Sequence, residues 1–389
     1  MTWDIKTGIR IQYEKPAGTW NSIQCDTFEV DIDRGISVEQ NTFARPNVGI
    51  ATVRLMKSSL GDFLNGPDYA SNQRFRIEYD SLGTWEPLFN GFIQNIEMTY
   101  VPEAKASALN NERGQLQVTI TANDMTRLAL NTQIGTFNIT GTSTRSFINV
   151  MNQLGTAIIA VDSRYSQAQV LSGGSSTFQY ANTYLDIPSG ELYNQFLDAE
   201  LGWLYASKSG GMRYLTRSDV NTIQGYAWDT NDLIVSNVHS TSNLHVCMNK
   251  IDLSYISDGI ANQVRVENAV TGVRTTSTNS TSVSLYGRQL ADFTVNFDPT
   301  VSGGTTFAQW ASAVSGAANP KNIQSVSVPV IRRTGFPSFI LNEEIGDALQ
   351  VEFASAGLPT LQERYMITRM NHFITADHWE LNLGLWRGI

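Results

Sequence analysis

Four histidines are the residues of this 389-residue chain best suited to binding a metal ion. They form two pairs whose members are six positions apart, His239 with His245 and His372 with His378. This spacing does not match the i, i+4 geometry of a helical zinc site, although residues i and i+6 do share a face of a strand. We therefore predict ordinary surface or interface histidines, and no metal site.

The two cysteines, Cys25 and Cys247, are far apart in the sequence. They fit neither a closely spaced zinc pattern nor a redox pair, and neither lies in a recognisable protease context. Cysteines of this kind are most often small buried side chains in proteins made in a reducing compartment. We predict two buried thiols that form no disulfide.

Signatures of catalysis are missing from the sequence. It has no Gly-x-Ser-x-Gly elbow and no phosphate-binding loop with Gly-Lys-Ser or Gly-Lys-Thr. Four acids could in principle supply the carboxylate pair of a glycosidase, and five aromatic residues could stack on sugars, but their positions on alternating strands or helix faces favour core or subunit contacts. We predict no enzyme and no cofactor. The acids are Glu97, Glu103, Asp198 and Glu200, and the aromatic residues are Trp203, Tyr205, Trp310, Trp379 and Trp386.

The composition indicates a protein whose surface is covered by other subunits. The formal net charge is −9, which argues against tight, sequence-independent binding of nucleic acid, because such binding needs Lys and Arg to displace counterions. Only 16% of residues are charged, and small polar residues take their place. A hydroxyl or amide finds a partner in an interface more easily than a charge does. Neither a long apolar run nor a signal-peptide pattern is present, so we expect no membrane segment and no secretion.

Hydrophobic periodicity predicts a mainly β chain with an α+β middle domain. Period-2 alternation marks strands in the first third and again after residue 236. Between them, helices are predicted from Thr142 through Leu154 and from Pro188 to Leu201, followed by a hairpin over residues 202–216. A further short helix is predicted around Phe307 to Val314.

These patterns divide the chain into three predicted domains. Residues 1–140 form a first β-barrel, residues 141–235 form the mixed domain, and residues 236–389 form a second β-barrel with a small helix-containing insertion near residues 295–322. An alternative left open is that the strands after residue 203 rejoin the first barrel.

One hairpin is written twice in the sequence. Phe75–Ile96 matches Leu349–Met370 without a gap at an offset of 274 residues. In both copies the apolar positions of the second strand break step at the same place, from Ile93 to Ile96 and from Ile367 to Met370. Such a break predicts a bulge or a corner. The duplication predicts two related barrels that give one subunit two similar surfaces.

Several segments resemble the tail hub proteins of tailed bacteriophages, also called baseplate hub or tail-associated proteins. The strongest are EIGDALQV at Glu344–Val351, YMITRMNH at Tyr365–His372 and WELNLGL at Trp379–Leu385, which follow the order of the C-terminal barrel of that family. Ile260–Val266 and Ser284–Arg288 are also similar. The order of two barrels around a helix-containing domain covers nearly the whole chain.

The resemblance implies a structural virion protein of the tail, made in the host cytoplasm. It implies a homotrimer whose six barrels form a pseudo-sixfold ring with a channel for DNA ejection. The implied partners are a sixfold distal tail or tail tube ring, a threefold tip, fibre or spike protein, and the tape measure protein. Many hub proteins carry fibre or hydrolase modules after the second barrel, and none follows here, so the resemblance does not extend to host binding or cell-wall cleavage by this chain. The alternatives are a carbohydrate-binding β protein of the tail tip and a cell-wall hydrolase.

Overall fold

The structure of the chain is a computed structural model. It describes residues 8–16, 18–25, 27–39, 43–57, 69–81, 83–101, 115–139, 145–165, 169–170, 177–178, 182–217, 219–220, 223, 233–237, 245–255, 260–268, 272–295, 321–330, 340–355 and 360–387.

The N-terminal third consists of strands whose alternate side chains are buried, as the period-2 pattern predicts. In the central strands Val53, Leu55, Ile77 and Ile120 are completely buried. The strands are β1 (Ile9–Glu14), β2 (Trp20–Ser22), β3 (Thr27–Glu39), β4 (Phe43–Pro46), β5 (Ile50–Lys57), β6 (Arg74–Ser81), β7 (Thr84–Val101) and β8 (Gln115–Asp124).

The middle part is mixed, and both of its predicted helices are present. The predicted start of the first is wrong, because Arg145 and Ser146 pair with Phe178 and Thr177 as a strand and the helix begins at Phe147. The first buries Val150, Met151 and Leu154 at helical spacing, and the second ends at Leu201, which has the left-handed φ of 56°. The elements are α1 (Thr126–Asn131), β9 (Gln133–Ile139), β10 (Arg145–Ser146), α2 (Phe147–Val161), β11 (Gln169–Val170), β12 (Thr177–Phe178), β13 (Asn182–Pro188), α3 (Ser189–Glu200), β14 (Trp203–Ala206) and β15 (Met212–Leu215).

The C-terminal part returns to strands and contains one helix that the periodicity did not predict. Asn279 caps this helix by accepting a hydrogen bond from the N–H of Ser282. The predicted helix at 307–314 lies outside the described residues. The elements are β16 (Ile234–Ser236), β17 (His245–Cys247), β18 (Lys250–Tyr255), β19 (Gln263–Asn268), β20 (Arg274–Thr278), α4 (Ser280–Tyr286), β21 (Leu290–Val295), β22 (Lys321–Pro329), β23 (Ala348–Phe353), β24 (Leu361–Thr375) and β25 (Trp379–Trp386).

A single fifteen-stranded sheet dominates the described residues and confirms the mainly β class. Its main path runs β17-β16-β23-β24-β3-β5-β8-β7-β6-β1-β2, and β25, β22 and β18 extend from the other edge of β24. The sheet is open, and no closed barrel is found in the described part of the chain. The two separate barrels stay a prediction. None of the helices described is long and apolar enough to cross a bilayer.

The strands after residue 203 pair in two different places. β14 and β15 form a three-stranded sheet with β11, whereas β16 pairs in parallel with β23 in the C-terminal part. In the described residues neither hairpin strand pairs with a strand of the first third. The three domain boundaries themselves remain predictions.

The register of the repeated hairpin is confirmed as far as Ile77 and Val351, after which the β6–β7 pairing shifts by one residue and the β23–β24 pairing does not. Phe75 pairs with Gly91 in the β6–β7 hairpin, and Leu349 pairs with Tyr365 in the β23–β24 hairpin, so both partners are displaced by 274 residues. The predicted bulge is present in both copies, because the register shifts between Ile93 and Asn95 in β7 and between Ile367 and Arg369 in β24. Gly357, the predicted counterpart of Gly83, lies outside the described residues.

The turn before each hairpin is duplicated as well. Asn72 and Gly346, again 274 residues apart, both have a left-handed backbone, with φ of 69° and 89°. The N–H of Asn72 donates to the carbonyl of Ile93 at 2.7 Å, and the N–H of Gly346 donates to the carbonyl of Ile367 at 2.8 Å. The repeat therefore begins before the segment that sequence comparison recognised.

Three further strands complete each repeated unit. Unit 1 is β3, β5, β8, β7 and β6, and unit 2 is β18, β22, β25, β24 and β23, in corresponding order. Corresponding strands pair in the same register, except that a bulge between β18 and β22 moves Leu253 one residue along, to Ile323. The matching pairs are Ile96 with Ile120 and Met370 with Leu383, Val53 with Ile120 and Val326 with Leu383, and Val30 with Val53 and Ile251 with Val326.

Candidate functional site at the junction of the two units

The histidines do not form a common site. His372 lies in β24 and is buried, whereas His378 is exposed after the turn and lies 3.4 Å from a carboxylate oxygen of Glu380. His245 is half-buried in β17, and His239 lies outside the described residues. No group of three or more His, Cys, Asp and Glu side chains in the described part of the chain could hold a metal ion.

Three of the four candidate acids lie in the described residues, and each has a structural explanation there. Asp198 on α3 forms an ion pair with Arg45 on β4, and Glu200 is buried at the end of the same helix. Glu97 is exposed on β7 and accepts a hydrogen bond from Asn95 at 2.9 Å. Glu103 lies outside the described residues. In the described residues these acids therefore have three different settings: an ion pair, a buried helix end and an exposed strand.

Four of the five candidate aromatic residues lie in the core. Trp203, Tyr205, Trp379 and Trp386 are each at most 4% exposed, so none of them presents a ring to a sugar. Trp203 and Trp386 pack edge to face with ring centroids 5.2 Å apart. The fifth, Trp310, lies outside the described residues.

Both cysteines are half-buried rather than fully buried as predicted. Cys25 follows the short edge strand β2, and Cys247 ends the short strand β17, so each lies near the edge of the large sheet. Side chains at such edges are packed against neighbours on fewer sides than those of central strands.

The two units meet where β24 pairs antiparallel with β3. The register places His372 opposite Ile32 and Arg369 opposite Gly35. A glycine is required at position 35, because a Cβ atom there would come within 2.6 Å of the carbonyl oxygen of Thr368. This pairing joins unit 1 and unit 2 into one sheet.

The outer face of the junction is polar. The guanidinium of Arg369 forms two hydrogen bonds with the carboxylate of Asp33, one of them 2.6 Å long. Asn371 donates to Asp31 at 2.7 Å. Asp31 and Arg369 are exposed, so these contacts lie on the side of the sheet that faces solvent in the single chain.

The inner face of the junction contains a buried ion pair that sequence reasoning missed. Arg34, whose side chain is 1% exposed, donates to Glu344 at 3.0 Å and to the carbonyl of Ala206 at 3.2 Å. The N–H of Lys208 donates to the same carboxylate at 2.7 Å. The cluster of Arg34, Lys208 and Glu344 thus ties unit 1, the middle part and the segment before β23 of unit 2 together. A signal was present, because Arg34 stands on the apolar side of Val30-x-Ile32-x-Arg34-x-Ile36.

Burial and neighbouring charges shift the pKa values of groups in and around this cluster. Burial raises the pKa of Glu344, but Arg34 and the N–H groups of Lys208 and Ile345 outweigh it, so this pKa lies below its ordinary value. The pKa of His372 is lowered to about 3 by burial and by the charges of Arg34 and Lys208. At neutral pH the imidazole is therefore neutral, and its Nδ1 accepts a long hydrogen bond of 3.4 Å from the indole of Trp379.

The arrangement links three separate stretches of the chain through the carboxylate of Glu344. The guanidinium of Arg34 and the carboxylate of Glu344 are buried and paired, and the half-buried ammonium of Lys208 donates to the backbone carbonyls of Leu341 and Asn342. The cluster therefore helps to hold β3 of unit 1 against the segment that leads into β23 of unit 2.

The same fold occurs in solved tail proteins of phages. The 43 kDa tail protein of prophage MuSo2 from Shewanella oneidensis matches 98% of this chain and 98% of its own, with 11% identity and a TM-score of 0.57. A tail protein from Neisseria meningitidis MC58 matches 97% of this chain and 96% of its own, with 10% identity and a TM-score of 0.59. No protein-family model and no curated protein matches the sequence. The resemblance to phage tail proteins is thus confirmed at the level of the fold, which this chain shares over nearly its whole length.

Proposed function

We propose that this chain is a non-enzymatic structural protein of a phage tail, the central hub of the baseplate or tail tip. The fold it shares with tail proteins supports a place in the virion tail. Of the described candidates, Asp198 is in an ion pair, and Glu200 and the four aromatic residues are buried. Only Glu97 is exposed, and a single carboxylate does not make the pair that a glycosidase needs.

The observation that carries the proposal is the head-to-tail junction of two equivalent units. Unit 1 contributes β3 and unit 2 contributes β24, which are not corresponding strands. A contact between different surfaces of equivalent units is heterologous, and repeating it generates a ring or a helix. Six units, from three chains, close the ring in the proposed homotrimer.

Such a ring solves a symmetry problem in the tail. Its pseudo-sixfold outline matches a sixfold distal tail or tail tube ring on one side. Its threefold symmetry matches a tip, fibre or spike protein on the other. The tape measure protein, which runs along the tail interior, is a third partner, and the chain is made in the host cytoplasm before it joins the tail.

The hole of the ring is the proposed path for DNA. One face of the sheet packs on the middle part through Arg34 and Ala206, which leaves the face with Asp31, Asp33 and Arg369 to line the hole. Paired charges and acids on that face, with a net charge of −9 for the chain, let DNA pass without tight binding.

Light scattering and electron microscopy of the purified protein test the proposal. We expect a particle with three times the 43.0 kDa mass of one chain, and class averages with a central hole and a near-sixfold outline. A stable monomer at micromolar concentration would contradict it. Glycan-array binding and peptidoglycan zymography, which we expect to be negative, test the two alternatives.

A further inference from the structure

The pairing of β24 with β3 inside the chain predicts what should pair with the open edges of β7 and β18. Residues of β7 correspond to residues of β24 at an offset of 274, and residues of β18 correspond to residues of β3 at an offset of 221. By this correspondence Met98 takes the place of His372, and Leu253 takes the place of Ile32. In the junction, His372 and Ile32 lie opposite each other in neighbouring strands.

The two positions differ sharply in exposure between the units. His372 and Ile32 are 2% and 0% exposed, whereas Met98 and Leu253 are 38% and 55% exposed. Both exposed side chains are on the apolar face of the sheet, because Met98 pairs with the buried Val118 and Leu253 pairs with the buried Ile323. Each of the two side chains therefore resembles one side of the His372–Ile32 contact, without the strand that would cover it among the described residues.

Around Met98 in β7 and Leu253 in β18, only one edge of the strand is hydrogen-bonded to a neighbouring strand. Residues 95–99 of β7 pair with β8, and residues 250–253 of β18 pair with β22. No second strand among the described residues lies along the opposite edges. A strand edge with exposed apolar residues is a template for pairing with another chain.

We propose that β7 of one chain pairs antiparallel with β18 of a neighbouring copy, in the register of the internal junction. Met98 then lies opposite Leu253, and Thr99 lies opposite Asp252. The occupant is a second copy because the same two kinds of edge already pair within one chain, and because repeating that contact uses up both open edges. The inference rests on the proposed ring and specifies the contact that closes it.

Cross-linking of co-expressed chains tests the register. In a Cys25→Ser/Cys247→Ser background, one tagged chain carries Met98→Cys and the other carries Leu253→Cys. A short bifunctional thiol reagent should link the two chains in most particles. The matched control replaces Leu253→Cys by Lys250→Cys, which is on the same strand but three positions away and on the opposite face, and should link at least tenfold less.

Interface variants supply a second measurement that does not depend on cross-linking. Because Met98 and Leu253 are already exposed in the single chain, Met98→Glu and Leu253→Glu should leave the circular dichroism spectrum unchanged and raise the dissociation constant of the oligomer at least tenfold. Leu285→Glu, at a side chain that is 60% exposed on α4, is the control and should have no effect.

The outcomes separate this inference from the proposed function. A trimer that does not cross-link through positions 98 and 253, and that tolerates both glutamates, overturns the proposed contact and leaves the hub standing. A wild-type chain that is monomeric overturns both. A trimer that cross-links in register and dissociates on substitution supports both.

Discussion

Units 1 and 2 share a hairpin register, a bulge and the turn that precedes them, yet they are extended by different neighbours. In unit 1, β1 pairs antiparallel with β6, whereas in unit 2 the corresponding strand β23 pairs in parallel with β16. The shared features depend on residues close together in the sequence. The different ones depend on which distant segment reaches the edge, so the edge is the part of a duplicated unit that can acquire a new role.

The units also differ in the chemistry at equivalent positions. Glu344 holds Arg34 in the buried cluster, but its counterpart at the same offset is Ala70. Replacing a residue of one unit by its counterpart in the other therefore measures how much that residue contributes to stability in its own unit.

The largest effect is expected when Glu344 is given the residue of unit 1. Glu344→Ala should lower the free energy of unfolding by about 3–5 kcal/mol, because it removes the hydrogen-bonded carboxylate partner of the buried guanidinium of Arg34. Urea denaturation measures the loss. The double variant Arg34→Met/Glu344→Ala should recover part of it, and a loss below about 1 kcal/mol would show that the pair carries little stability.

A second exchange concerns the left-handed turn residues. Gly346→Asn should cost about 1–3 kcal/mol, since a Cβ atom at position 346 would lie 2.5 Å from the side chain of Leu215 and overpack the core. The reverse change, Asn72→Gly, should alter stability by less than about 1 kcal/mol, because glycine adopts a positive φ freely. Thermal denaturation compares the two. Equal losses would mean that backbone strain, and not packing, decides both.

The third exchange, His372→Met, addresses pH dependence. The folded pKa of His372 is about 3, below the ordinary value of 6.5, so the unfolded chain binds the proton first. The contribution of His372 to the free energy of unfolding is fully present above about pH 6.5. It decreases as the pH falls towards 3 and is smaller by about 1 kcal/mol at pH 5.5. Denaturation at several pH values should show that His372→Met removes this component of the slope. An unchanged slope would place the titration elsewhere.

The smallest effect is expected on the outer face of the junction. The counterpart of Asp33 in unit 2 is Ser254, so Asp33→Ser removes the exposed ion pair with Arg369. The loss should be below about 1 kcal/mol, because solvent screens both charges. It should shrink further in high salt, and a loss that is large and independent of salt would contradict this assignment.

Sequence reasoning succeeded for features that are determined by residues close together along the chain. The bulges were predicted from the break in alternation after Ile93 and Ile367, and α3 from its proline start and apolar stripe. Helix α4 was missed because it is short and largely exposed, with Leu285 pointing to solvent, so no apolar periodicity marks it. The buried cluster was missed because Arg34 and Glu344 are 310 positions apart.

The sequence by itself determined the alternating strands, the duplicated hairpin and the low charge, because these are properties of residue type and spacing. Only the tertiary structure decided which edges meet. The hairpin sequence occurs twice, yet β24 pairs with β3 while the corresponding part of β7 has an exposed methionine. Pairing between strands that are distant in sequence depends on where the folded chain brings their edges together.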